Sequence, residues 1–470
     1  MGTSRHLALL LIVALAVAGW LPGARPSRAS AWPSPHPQPF SSPETTRRGE
    51  GGSTLPRPES GEGWGEGFPY APGVVLVGLR DGLPFPQRQI AAKVIAKVSD
   101  LSVCALRVPV GQELVTVERL RRDPGVAFAE LDYALRATEV ITPNDPGWSQ
   151  QWALAKIGAL QAWGVTTGSP EVLIAVLDSG LQLSHEDLAG KVWTNADEIP
   201  GNGVDDDANG KVDDVHGWRF YHRWDGSGFI PAEDADVEDG YGHGTHVAGI
   251  AAAASNNGLG IAGVSWGARV MPVKVLDNTG NGWYLDVAAG IIYAADNGAR
   301  IINLSVGGAP ASATLCAAAE YAHRKGCLLV AAAGNTGGQV EYPAACAHVL
   351  AVAATDPVDE RASFSNLGPE VDLAAPGVDI YSAWVRWGGY TSLSGTSMAA
   401  PHVSGVAALI WSRWPALSND ALTTQITRTV TDLGSPGWDE ATGWGRLDAG
   451  RALSWGSYLL PLPLALKGGG

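Results

Sequence analysis

The sequence has little cysteine. Four cysteines in 470 residues are too few for a scaffold held together by disulfides. Their spacing gives no sign of a zinc site. Basic residues are also scarce, with 32 Lys and Arg against 47 Asp and Glu and a formal charge of −15. That balance argues against nucleic acid as a partner. Nor does any apolar run reach the length of a membrane-spanning helix. The run at 7–17 is short, and the one at 458–466 is short and broken by Pro461 and Pro463. What is present, 45% hydrophobic and 17% charged residues, fits a globular chain with disordered patches.

Residues 1–31 are laid out like a secretory signal. Arg5 and His6 precede the apolar run, and Ala29-Ser30-Ala31 offers a small-residue cleavage site. Residues 32–71 are rich in Pro, Gly, Ser and Glu and read as a disordered linker. A small α+β unit is expected over 72–140. Its strands are predicted at 73–79, 101–108 and 126–135, and its helices at 87–98 and 114–122. Over 141–455 strands alternate with helices, which predicts an α/β fold with a mostly parallel central sheet. Strands are expected at 172–177, 269–275, 301–305, 327–332 and 349–353, with helices at 285–297 and 313–325. Residues 456–470 form a tail that packs on the surface or acts as a sorting signal. Cys104 lies in the small unit. Cys316, Cys327 and Cys346 leave room for one internal disulfide. Cys316 with Cys346 is the preferred pair, because Cys327 opens an apolar strand.

The stretch Gly395-Thr396-Ser397-Met398-Ala399-Ala400-Pro401-His402 reads as a turn passing into a helix. Val403, Val406, Ala407, Leu409 and Ile410 continue the apolar face. A serine at a helix start lies beside free N–H groups and a partial positive charge. That suits a nucleophile whose attack creates an oxyanion. Alone, Ser397 could equally be an N-cap. A serine hydroxyl needs a base, and the base needs an orienting acid. The apolar run 172–177 ends in Asp178, at the strand edge where open α/β sheets carry their sites. Gly242-His243-Gly244-Thr245 leads into an alanine-rich helix. A further apolar strand runs through Ala332 and Gly334 to Asn335, whose amide can donate to a developing oxyanion. Each residue has a bland reading as a turn or helix-start residue. Together they are hard to read that way.

These blocks, from about 142 to 452, resemble the subtilisin-like serine proteases. The resemblance implies a three-layer fold and hydrolysis of peptide bonds in proteins through an acyl-enzyme. It implies that Asp178 orients, His243 is general base and acid, Ser397 is the nucleophile and Asn335 donates to the oxyanion. It further implies a secreted monomer in which residues 72–140 are an inhibitory propeptide. Self-cleavage would fall between 136 and 141. A calcium site is implied at Asp145, Asp187 and Asn257, completed by carbonyls near Ala254, Leu259 and Ile261. The substrate cleft would be lined by Ser305, Val306, Gly307, Ala332 and Gly334. Glycines there let a peptide backbone approach and pair as an added strand.

Two features call for separate readings. In the acidic stretch 205–214, Asp205, Asp207, Asn209 and Asp213 occupy alternate positions of a calcium loop, with Gly210 at the turn. The twelfth position is His216 rather than Glu, so the match is partial, and a solvated insertion is the alternative. Glu341 follows Asn335 at the distance where the resembled enzymes close the far end of the primary pocket. A carboxylate there would attract Lys or Arg. Turned outward, it would leave an apolar pocket set by Val306 and Ala332. Two other classes are a non-catalytic secreted binding protein with the same fold, and an acid peptidase with Glu in place of His. The intact set of Asp178, His243, Asn335 and Ser397 argues against both.

Overall fold

A computed structural model describes residues 70–80, 93–98, 102–133, 141–386 and 389–454. The expected signal, most of the linker, the processing junction and the tail lie outside the described residues.

The first sheet has four antiparallel strands in the order β2-β3-β1-β4. They are β1 (Tyr70–Leu79), β2 (Lys93–Val98), β3 (Val103–Arg107) and β4 (Val126–Tyr133). Helix α1 (Glu113–Arg121) covers one face, and Val75, Val77, Leu106, Val117, Leu120 and Leu131 form the core. The helix expected over 87–98 is not formed where it can be described: residues 93–98 are strand β2. Residues 87–92 lie outside the described residues. β2 is an edge strand, almost wholly exposed and paired only with β3. With neither face buried it carries no two-residue period, and β-branched Val94, Ile95 and Val98 favour the extended form.

The larger region begins with the short helices α2 (Trp152–Lys156) and α3 (Ala159–Trp163). Its sheet runs in the order β12-β11-β10-β9-β5-β8-β6-β7. In chain order the elements are β5 (Leu173–Asp178), β6 (Trp218–Trp224), β7 (Phe229–Asp234), α4 (His243–Ala252), β8 (Arg269–Lys274), α5 (Tyr284–Asp296), β9 (Ile301–Leu304), α6 (Ala313–Arg324), β10 (Leu328–Ala332), β11 (Val349–Thr355) and β12 (Val371–Pro376). A hairpin, β13 (Ile380–Ala383) and β14 (Tyr390–Leu393), precedes α7 (Thr396–Arg413), α8 (Asn419–Arg428) and α9 (Ala449–Ser454). Every pairing in the large sheet is parallel except β6 with β7.

Both faces of this sheet are covered, which is why its inner strands read as unbroken apolar runs. Ile174 and Val176 of β5 face the core shared with α4 and α7. Leu173, Ala175 and Leu177 face the core shared with α5 and α6. The result is an α/β three-layer fold, as expected. α7 is buried along nearly its whole length, down to Trp411. Cys316 and Cys346 form a disulfide, and Cys327 stays buried and free. Among the described residues no helix is long and apolar enough to cross a membrane.

Candidate active site

β5 ends at Asp178, in the middle of the sheet, where its carboxylate is wholly buried. The Ser179 N–H donates to Oδ1 at 2.7 Å. α4 begins at His243 and comes unusually close to the end of β5. A Cβ on Gly244 would lie 2.2 Å from the Gly180 carbonyl oxygen and 3.0 Å from Asp178 Cβ. Only glycine permits that approach. It brings His243 Nδ1 to 2.8 and 2.9 Å from the two carboxylate oxygens of Asp178. Burial by itself would lower the His243 pKa. The Asp178 charge and hydrogen bond, helped by the Asp239 charge, overcome this and leave it raised.

Asp239 also caps the start of α4. It accepts from the Gly242 N–H at 2.7 Å, the Thr245 N–H at 3.0 Å and the Ser179 hydroxyl at 2.9 Å.

Ser397 sits in the first turn of α7 and is only 9% exposed. Pro401 follows inside the helix. Proline has no N–H, so the Ser397 carbonyl loses its helical partner. It accepts instead from Ser305 Oγ at 2.8 Å, and Ser397 Oγ donates back to the Ser305 carbonyl at 3.1 Å. This reciprocal pair ties the helix start to the end of β9. Among the described residues no hydrogen bond joins Ser397 Oγ to His243. Asn335 follows β10. Its Oδ1 accepts from the Thr396 N–H at 2.8 Å and the Thr396 hydroxyl at 2.9 Å. That fixes the amide orientation, and among the described residues Nδ2 has no hydrogen-bond partner beside the start of α7.

A cleft of about 320 Å³ runs past His243, Ser305, Val306 and Gly307 toward Tyr241, Gly280, Trp283 and Tyr284. Glu341 turns inward. Its Oε2 would lie 2.5 Å from a Cβ on Gly307, and its Cδ 2.9 Å from a Cβ on Gly334. The carboxylate therefore lies beside both Gly307, which follows β9, and Gly334, which follows β10; Gly307 lines the cleft, while Ala332, Gly334 and Glu341 are not among its lining residues. Burial pushes its pKa up, partly offset by a hydrogen bond from Asn366.

The acidic residues fall into two groups. Asn257 links Asp145 and Asp187: its N–H donates to Asp145 Oδ1 at 3.1 Å and its Nδ2 to Asp187 Oδ1 at 3.3 Å. Asp187 is wholly buried, and its other oxygen accepts from the Ile261 N–H and the Tyr390 hydroxyl, both at 2.8 Å. Burial raises its pKa against these neutral donors. In the second group Glu198, Asp205 and Asp207 bring carboxylate oxygens within 4.8 Å of one another. Asn209 donates to Asp207 and Asp214 through Nδ2. Asp213 is not part of this group. Its carboxylate accepts from the backbone N–H groups of Gly201, Asn202 and Gly203.

A sequence profile of the Subtilase family matches residues 169–445, a span that holds Asp178, His243, Asn335 and Ser397. The chain belongs to the subtilase family. This subtilase is 43% identical to thermitase from Thermoactinomyces vulgaris over 318 residues, 67% of this chain and 100% of thermitase. It is 39% identical to a halolysin-like extracellular serine protease, Nep, from Natrialba magadii, over 77% of this chain and 62% of that one. A solved structure of proteases from Pseudoalteromonas arctica is similar with a TM-score of 0.56 and 33% identity, covering 67% of this chain and 99% of that one. Membership makes the subtilase a serine-type protease.

Sequence reasoning missed three contributions to these sites. Glu198 joins the acidic group from upstream of the 205–214 loop. The Tyr241, Trp283 and Tyr284 wall comes from separate segments with no shared motif. Asp239 stood four residues before His243 and looked like one more acidic residue. Its place before a glycine-flanked helix start was the available signal.

Proposed function

We propose that this subtilase is a secreted, calcium-stabilised endopeptidase that is made as a self-processing precursor and cleaves after Lys or Arg. The observation that carries the reading is His243 Nδ1 held by both oxygens of a wholly buried Asp178, at 2.8 and 2.9 Å. That bond leaves Nε2 of the neutral imidazole as the base. His243 adjoins the same cleft as Ser305, whose carbonyl holds the Ser397 hydroxyl.

In the reaction, Ser397 Oγ swings from the Ser305 carbonyl toward Nε2 of His243. It loses its proton there and attacks the carbonyl carbon before the scissile bond. The oxygen of that carbonyl gains negative charge beside the Asn335 Nδ2 donor and the free Ser397 N–H at the helix start. Asp178 stays ionised and balances the imidazolium. His243 then protonates the leaving amine, and the acyl-enzyme remains on Ser397. Water, activated by the same imidazole, releases the acid product. Removing one oxyanion donor costs about 10²–10³ in turnover, a magnitude that comes from subtilisin rather than from this chain.

Calcium fits the two acidic groups. At Asp145, Asp187 and Asn257, a buried carboxylate is hydrogen-bonded by neutral donors, with His185 as a small further influence, and a divalent cation would compensate its charge. At Glu198, Asp205 and Asp207, with Asn209 beside them, clustered carboxylates would otherwise repel. The ion would pin the 254–261 and 198–209 segments to the domain and would take no part in the chemistry. The disulfide between Cys316 and Cys346 suits an oxidising compartment. So does the signal-like segment 1–31. The Lys or Arg preference rests on Glu341 lying beside Gly307 and Gly334. The small sheet of residues 70–133 would serve as the inhibitory propeptide.

A fluorophosphonate probe tests the central claim. The wild-type protein should be labelled at Ser397, and Ser397→Ala should be neither labelled nor active. An unlabelled wild type would favour a binding protein that merely keeps the fold. Pure Ser397→Ala precursor should also stay unprocessed. Its maturation with no other protease present would rule out self-processing.

A further inference from the structure

Asn303 is an amide inside an apolar strand. β9 reads Ile301-Ile302-Asn303-Leu304 and is buried throughout. It lies between β5 and β10, with Asn303 opposite Val176 and Val330. Ile302 and Leu304 belong to the core shared with α5 and α6, and Ile301 to the core shared with α7. Alternation along the strand therefore turns Asn303 toward α7. Ser404 meets it there, two turns after Ser397 on the same helix, and both residues are wholly buried. Polar groups in a core that could have been apolar cost free energy unless their hydrogen bonds are met. Such departures from local pattern collect at functional sites.

The bonds here form one chain that ends on the nucleophile. Ser404 Oγ donates to Asn303 Oδ1 at 2.8 Å, and Asn303 Nδ2 donates to Ser305 Oγ at 3.0 Å. Ser305 Oγ donates in turn to the Ser397 carbonyl at 2.8 Å. The direction of every hydrogen follows from this last link. Pro401 offers the Ser397 carbonyl no N–H, so that carbonyl takes the single hydrogen of the Ser305 hydroxyl. Ser305 Oγ is then left to accept from Asn303, which must turn its NH2 to Ser305 and its oxygen to Ser404. A flipped amide would present its oxygen to Ser305, draw the hydrogen away and leave the Ser397 carbonyl without it. Ser404 opposes the flip by donating to that oxygen. Each link also polarises the next.

We propose that Asn303 and Ser404 are positioning residues for the nucleophile. Their relay fixes the hydrogen that holds the Ser397 carbonyl. It thereby holds the first turn of α7, where the Ser397 hydroxyl and N–H must meet the carbonyl under attack. Neither Asn303 nor Ser404 lines the cleft. Substrate should therefore bind as before in a variant while the attack itself slows. The proposal rests on the reading of Ser397 as the nucleophile of an endopeptidase, and the test separates the two.

The readouts are kcat and KM on one fluorogenic peptide and the rate at which a fluorophosphonate labels Ser397, with melting temperature measured alongside. Ser404→Ala should lower kcat and the labelling rate about tenfold, or ~1.4 kcal/mol, and leave KM within about twofold. Ser404→Thr keeps the hydroxyl and should recover most of the loss. Asn303→Asp has nearly the same shape but offers Ser305 an oxygen, and should cost on the order of a hundredfold. Ser305→Ala/Ser404→Ala should be no slower than Ser305→Ala alone, because a relay cut at its last link has nothing further to lose. Ser412→Ala removes another α7 hydroxyl, one that bonds the Ala408 carbonyl outside the relay, and should keep the parental rates. A labelled, active parent whose Ser404→Ala variant keeps those rates, or loses only melting temperature, would overturn the relay. Losses that multiply in the double variant would do the same. A parent that is neither labelled nor active would overturn the endopeptidase reading and the relay with it.

Discussion

Glu341→Gln tests the pocket most sharply, because it changes a charge with almost no change in shape. The Glu341 carboxylate lies beside Gly307 and Gly334, at a place where neither glycine has room for a Cβ. A guanidinium or ammonium reaching the same spot would sit about 4 Å from it. At an effective dielectric of about 20 the attraction is about 4 kcal/mol. Desolvating both ions and screening at the open cleft oppose this. A net ~1.4 to 2.7 kcal/mol is expected, or about ten- to a hundredfold in kcat/KM. The assay compares two fluorogenic peptides that differ only in Arg or Phe before the scissile bond. Glu341→Gln should lose activity on the Arg peptide by that factor and leave the Phe peptide within about twofold. The preference should also depend on pH. Glu341 attracts a cation only when ionised, so the preference is present above its pKa and lost as pH falls through it. Burial raises that pKa, so the loss should begin above the ordinary glutamate range. Equal losses on both peptides, or a parent with no preference for Arg, would refute the argument.

Three further outcomes are expected. Chelation should lower the melting temperature, since a ligand bound only by the native state at a thousandfold excess over Kd contributes about 4 kcal/mol. Asp187→Ala should blunt that response, and superimposable melting curves with and without chelator would count against calcium. The raised His243 pKa places the acidic limb of the kcat/KM profile above the ordinary histidine range, because the base must be neutral. Asp239→Asn removes a charge that helps raise it and should move the limb to lower pH; an unmoved limb would deny Asp239 this role. Breaking the Cys316–Cys346 disulfide by Cys316→Ser should destabilise the fold by about 3–4 kcal/mol, as the loop it closes spans a sequence separation of 30. Denaturant midpoints compare the two, and an unchanged midpoint would show that the loop is already ordered without it.

The motifs around Asp178, His243, Asn335 and Ser397 were legible in the sequence for a local reason. Each is a strand end or a helix start, and those boundaries are marked by an apolar run meeting glycine, a polar residue or a change of period. The parallel sheet was legible as well, because strands buried on both faces have nothing but apolar residues to show. β2 was not, since an edge strand exposed on both faces leaves no period to read and only pairing with β3 decides its form. The side chains that tune the sites were decided by the tertiary structure. Sequence spacing put Asp213 in the acidic loop with Asp205 and Asp207, but the backbone turns it to the amides of Gly201 to Gly203, and Glu198 takes the place beside them. Glu341 could have faced solvent or the cleft on sequence grounds alone; its place beside Gly307 and Gly334 comes from the tertiary packing. The contacts among Trp224, Phe229 and Trp283 exist only because a hairpin and the start of a distant helix meet. Local chemistry is written in runs and boundaries a few residues long. Which distant side chains share a site depends on how close two backbones come, and only the packed chain determines that distance.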